Sequence, residues 1–152
     1  MTNYSLIEIE THCRKAARGA GYYWGEAEEM AKAVRWLCAN GVNGAEQCLT
    51  LLEAVDGNCD DHRATLDTLQ GAHKGSVCGL SLGCALADRG LDTLPEGIDI
   101  IAPMIAKGVM RADLGSAAPV TEISDTTWKA LNSFAHRTYV PSTEESRMKG
   151  AG

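Results

Sequence analysis

Gly71-Ala-His-Lys-Gly-Ser-Val-Cys-Gly-Leu-Ser-Leu-Gly-Cys-Ala-Leu-Ala-Asp-Arg-Gly90 carries glycines at 71, 75, 79 and 83, a ladder at a spacing of four. On a helix, residues four apart share one face, and the ladder becomes a groove without side chains where another backbone packs closely. The centre of the same stretch, Gly79-Leu80-Ser81-Leu82-Gly83, also fits the Gly-x-Ser-x-Gly turn that exposes a nucleophilic serine between a strand and a helix. Asp88, Asp92, Asp99, Asp113 or Asp125, and then His136, follow Ser81 in the chain order of a serine hydrolase. The segments before it read as helices, however, and only Ser76-Val77-Cys78 offers a strand. From Ser76 to Arg89 the apolar residues Val77, Cys78, Leu80, Leu82, Cys84, Ala85, Leu86 and Ala87 cover every side, and a helix apolar all round is buried. The expectation is a central, buried, glycine-rich helix. Gly71 and Gly75 serve the turn before it, while Gly79 and Gly83 admit a neighbouring helix.

Upstream, Ser5 with Glu8 forms a capping box, and Leu6, Ile9, Cys13, Ala16, Ala17 and Ala20 share the face of a helix that ends at Gly19 or Gly21. Its early acids and late bases complement the helix dipole, and Glu10 is placed to pair with Arg14. A second helix spans Trp24 to Asn40 and stops at Gly41, and a third spans Gly44 to Val55 and stops at Asp56-Gly57. Asp60 or Asp61 caps a fourth, running to Leu69 with Leu66 and Leu69 inward. Downstream, residues 98–110 read as one helical stripe or, nearly as well, as a strand over 98–102 followed by a helix from Pro103. Ala118 to Ile123 and Thr138 to Val140 read as short strands, with a helix from Asp125 through Phe134 between them. The fold class is α+β, with a mainly helical N-terminal half around the buried Gly-rich helix and a small sheet in the C-terminal half. Residues 1–152 form one domain, with 141–152 a polar, mobile tail.

Composition narrows the function. A chain with net charge −6 and an isoelectric point near 5.1 lacks the clustered Lys and Arg that nucleic acid requires. The N-terminus shows no secretory pattern, and no apolar run reaches the ~20 residues of a membrane helix, so the reading is cytoplasmic with no membrane partner. The six cysteines include no Cys-x-x-Cys pair and are read as reduced thiols on apolar helical positions. Cys59-Asp-Asp-His62 with His73 and Cys78 holds zinc-type ligands in two distant halves, but Asp60 and Asp61 are explained as capping acids, so no metal is assigned. Gly71-Ala-His-Lys-Gly-Ser lacks phosphate-loop spacing and no dinucleotide turn follows a strand, so no cofactor is assigned.

Ile9-Glu10, Lys15-Ala-Ala-Arg-Gly-Ala-Gly21, Trp24-Gly-Glu-Ala-Glu-Glu29, Val34-Arg-Trp-Leu37, Tyr139-Val-Pro-Ser-Thr-Glu-Glu-Ser-Arg147 and Gly150-Ala-Gly152 together resemble a bacterial family known as a domain of unknown function. The family carries no assigned activity, so the resemblance transfers no catalytic residue. The first two helices are also similar to the N-terminal helical pair of the type 2 malate and lactate dehydrogenases, over less than a third of the chain. The resulting expectation is a binding or accessory protein without a catalytic motif, acting as a homodimer. The alternative is a small enzyme or small-ligand binder with a polar pocket built from His73, Arg137, Ser146 and Arg147, or a serine hydrolase at Ser81.

Overall fold

The computed structural model describes residues 1–138. Its first three helices are α1 (Leu6–Ala20), α2 (Trp24–Ala39) and α3 (Gly44–Val55). At the start of α1, Ser5 Oγ accepts the Glu8 N–H at 3.1 Å and the Glu8 carboxylate accepts the Ser5 N–H at 2.7 Å, so two orphan donors are satisfied reciprocally. Gly21, at φ +117°, ends the helix. The buried face of α1 is Ile9, Cys13, Ala16, Ala17 and Ala20, and these small side chains let α2 and α7 pack against it. Glu10 does not pair within its own helix. It meets Arg35 of α2 at 2.9 Å, and Arg14 reaches Glu28 at 3.6 Å. The charges expected to brace α1 internally instead tie α1 to α2, because the two helices are close enough for long side chains to reach across.

The fourth expected helix is broken. A 3₁₀ turn at Cys59–His62 is followed by α4 (Leu66–Leu69), which is capped by Thr65 rather than by Asp60 or Asp61. Leu66 is 69% exposed, and Thr68, which is fully buried, takes the inward position. Arg63 in extended geometry interrupts the run, its guanidinium held by Glu26 and Asp60.

The stretch that holds the glycine ladder is split between a turn, a strand and a helix. β2 (Ser76–Cys78) leads into α5 (Gly79–Asp88), and β3 (Asp99–Ile101) then pairs parallel with β2 in the register Ser76↔Asp99 and Cys78↔Ile101. This is a β-α-β unit, in which a helix crosses between parallel strands. β3 turns through Ala102, at φ +54°, into α6 (Pro103–Val109). The strand-then-helix reading of 98–110 is therefore the correct one. The expectation that 76–89 forms a single helix with no solvent face needs correcting twice, since its first three residues are strand and Ala87 and Asp88 are exposed. The all-round apolarity has a different cause: Leu80 enters the main core, while Leu82 and Leu86 enter a second cluster with Val77. α5 stands between two cores. Gly71 and Gly75 take positive φ in the preceding turn. Gly79 faces the carbonyls of Ile101 (2.8 Å from a would-be Cβ) and Ala102, and Gly83 faces Ala106 Cα at 2.9 Å, so α6 closes directly on α5.

A second two-stranded sheet pairs β1 (Thr2–Asn3) antiparallel with β4 (Glu122–Ile123), ahead of α7 (Asp125–Ala135). The strand expected over 118–123 is shortened because Val120 donates its N–H to Cys38 O at 2.8 Å, at the end of α2. Thr138 belongs to a closing 3₁₀ turn, His136–Thr138, rather than a strand. Tyr139, Val140 and the tail reading of 141–152 lie outside the described residues. Among the described residues, no helix is long and apolar enough to cross a membrane.

Candidate functional site

Between α1 and α2 the chain runs extended through Tyr22-Tyr23, and in extended backbone successive side chains point to opposite sides. Tyr22 is fully buried, whereas Tyr23 is 66% and Trp24 59% exposed. Inside, the Tyr22 hydroxyl lies 2.8 Å from Cys78 Sγ, at the C-terminal end of β2, where open α/β sheets place their ligand crevice. Tyr22 fills that position. Burial pushes the Tyr22 hydroxyl and the Cys78 thiol up, so both stay protonated.

Outside, each exposed aromatic is braced by an arginine. The Arg63 guanidinium lies 5.4 Å from the Tyr23 ring centroid, and that of Arg18 lies 5.3 Å from the Trp24 ring, where it also donates to Tyr22 O at 2.9 Å. Arg63 forks onto both oxygens of Glu26 and reaches Asp60 at 2.7 Å, locking the 59–63 segment against the first turn of α2. Tyr23 therefore stands as a fixed ridge with a cleft on each side. One cleft, of about 310 Å³, runs between Gly21 and residues 57–61 and includes Asp60 and Asp61. The other, of about 330 Å³, is lined by the apolar Cys84, Ala87 and Val109 together with the acids Glu26, Glu29 and Asp88. Burial, then the carboxylates of Glu29, Asp88 and Glu26, push the Cys84 thiol up to about 12. A neutral thiol under three carboxylates is no nucleophile, and the surrounding potential favours cationic groups.

The remaining chemistry-bearing residues are individually engaged. Ser81 has the strand-to-helix context that the sequence seemed to deny it. It sits at the third position of α5, however, and its Oγ accepts the Ala64 N–H at 2.8 Å. Cys59 donates toward Ala20 O at 3.5 Å, His62 Nδ1 contacts Ser76 O at 3.1 Å, His73 Nδ1 contacts Thr68 Oγ1 at 2.6 Å, and Cys78 contacts Tyr22. Among the described residues, no three His, Cys, Asp or Glu side chains come together as a metal-holding group. Of the residues read as a polar pocket, His73 and Arg137 share no hydrogen-bond partner. His73 Nε2 is buried without a partner among the described residues, whereas Arg137 is bidentate on Asp56 at 2.6 and 3.1 Å. Ser146 and Arg147 lie outside the described residues.

Tyr23, Trp24 and Arg63 were missed in the sequence, although a signal was present. Tyr22-Tyr23-Trp24 groups three aromatic residues in a chain with only Tyr 4, Trp 3 and Phe 1, directly after a helix-ending glycine.

The ridge and its clefts define a mainly helical protein with a braced aromatic surface. Residues 4–74, which carry α1 to α4 and the whole Tyr23–Arg63 cluster, match the model of a family described as a protein of unknown function, DUF3726. Among the curated proteins and the solved structures, nothing matches the chain.

Proposed function

We propose that the chain is a binding or accessory protein whose working surface is the Tyr23–Trp24 ridge with its two flanking clefts. The observation that carries this reading is the pair of large aromatics left exposed yet fixed in place by Arg63 and Arg18. Exposed side chains held rigid lose little conformational entropy on binding, which is how a contact surface gains affinity. The acids of both clefts favour a ligand or partner that brings a positive group to the aromatic wall. Self-association as a homodimer fits the same exposed ridge, and six unpaired thiols suit a reducing, cytoplasmic compartment.

The test compares wild type with Tyr23→Ala/Trp24→Ala. Thermal shift against sets of organic amines and organic acids should show the amines raising the wild-type midpoint and the double variant losing that response with its unliganded midpoint unchanged. Full retention of the response in the double variant would refute the assignment. For the dimer, light scattering that gives one 16.2 kDa species at micromolar concentration would count against it. The polar pocket of His73, Arg137, Ser146 and Arg147 stands as a second reading, favoured by the unpartnered His73 Nε2. A His73→Asn variant that keeps every ligand response would remove it.

A further inference from the structure

At the other end of α2, about 18 Å along the helix axis from Trp24, a different chemistry is assembled. Lys32, Arg35, Trp36 and Ala39 follow the i, i+3, i+4, i+7 spacing that lines one helix face, and with Arg111 they line a cleft of about 180 Å³. Trp36 is fixed by its Nε1–H donating to Ala112 O at 3.1 Å, and the Arg111 guanidinium lies 5.6 Å from its ring centroid. Three cations share a small cleft on a chain whose net charge is −6.

Arg111 is the informative residue. It follows α6 in the left-handed conformation at φ +54°, with its N–H on Gly108 O at 3.2 Å and the Ala112 N–H on Lys107 O at 2.9 Å. That bond pattern is a Schellman cap, whose left-handed position is ordinarily glycine because a Cβ is strained there. Among the described residues, every other positive-φ position except Ala102 is indeed glycine. The chain thus places a long cationic side chain at a position where glycine would be more stable. Arg14, Arg35, Arg63 and Arg137 each meet a carboxylate, but Arg111 meets none among the described residues. Its fork of donors is held over Trp36 with no acceptor among the described residues. Lys32 and Arg35 pair with Glu29 at 3.7 Å and Glu10 at 2.9 Å, with half of each cationic side chain exposed, and such surface pairs yield readily to a stronger anion.

We propose that this cleft is an oxyanion site that takes the phosphate of a small phosphomonoester, with Arg111 as its principal donor and Lys32 and Arg35 as supporting charges. A doubly charged tetrahedral group matches a fork with no partner and two weakly committed cations better than a single carboxylate does. Trp36 serves as the platform that orients the guanidinium. The Arg111 guanidinium already lies over the Trp36 ring, so the site recognises the phosphate rather than an aromatic group attached to it.

The experiment uses the full chain with inorganic phosphate as the probe, against acetate and chloride at matched ionic strength, read by calorimetry and thermal shift. Wild type should bind phosphate at least tenfold more tightly than acetate. Arg111→Gly should bind at least tenfold more weakly than wild type while its unliganded melting temperature is equal or higher, because glycine relieves the left-handed strain. Arg111→Gly that binds phosphate as wild type does, or a wild-type response no stronger to phosphate than to chloride, overturns the proposal.

Discussion

Replacing Gly79 by alanine should separate close packing from every other role of the glycine ladder. A Cβ there would lie 2.8 Å from Ile101 O and nearer still to Ala102 O, and both are backbone atoms at the β3–α6 junction. Neither can swing aside as a flexible side chain would, so α5 and α6 must move apart. Overpacking of this kind costs ~1–3 kcal/mol, and two blocked carbonyls put the cost toward the upper end. The better helix propensity of alanine offsets less than ~1 kcal/mol of that. The net loss is about 2 kcal/mol, a fall in melting temperature of roughly 4–8 °C for a chain of this length. Gly25→Ala is the matched control, because a Cβ there meets nothing within 4 Å. It should be neutral or raise stability by ~0.4–1 kcal/mol through the unfolded state. Urea unfolding of the two variants and wild type decides the matter. Gly79→Ala unfolding at the wild-type midpoint, or Gly25→Ala falling as far as Gly79→Ala, would refute the close-approach argument.

Ser81→Ala strands the Ala64 N–H and should cost ~1–2 kcal/mol in urea unfolding, with any esterase background unchanged, and a complete loss of such activity would restore the serine hydrolase reading. The hydrogen bonds from Arg137 hold the Asp56 carboxyl below its ordinary 3.8, so the pair's stabilisation is complete above that value and is lost as pH falls through the lowered one. Both groups are substantially exposed, so solvent screening keeps the effect small, and the stability difference between wild type and Arg137→Ala at pH 7 should vanish near pH 2. Burial pushes the Cys38, Cys59, Cys78 and Cys84 thiols up, and the Cys48 hydrogen bond raises Cys13. Thiol titration at pH 8 should accordingly be slow in the native protein and give six groups in denaturant, and two or more fast native thiols would contradict the burial described.

The first three helices were legible because their signals are local. Ser5 and Glu8 cap within one turn, Gly21 and Asp56-Gly57 terminate, and the buried face of α1 repeats at helical spacing. The stretch from Ser76 to Arg89 misled because apolar residues on all sides say that a segment is buried, but not against how many neighbours. The two cores on either side of α5 exist only once β3 and α6 have folded back. Arg63 was invisible as an organising residue for a similar reason, since its partner Glu26 lies 37 positions away. Its other partner, Asp60, carries the local signature of a helix cap, which hides the pairing. Arg111 was missed because nothing local distinguishes an arginine at a left-handed cap from one at an ordinary helix end.

The hydrogen bonds around β2 also bear on how the chain can be divided. The family match stops at residue 74, yet Tyr22 bonds to Cys78, His62 to Ser76 and Ala64 to Ser81, and Gly108 lets α6 lie against Ala33 of α2. Each of these spans the end of the match. A polypeptide cut at that point would leave a buried phenol and a backbone donor unmet and would bare a face of α2 to water. The border of the matched region marks where sequence similarity fades, and it runs through the interior of the fold rather than along a seam.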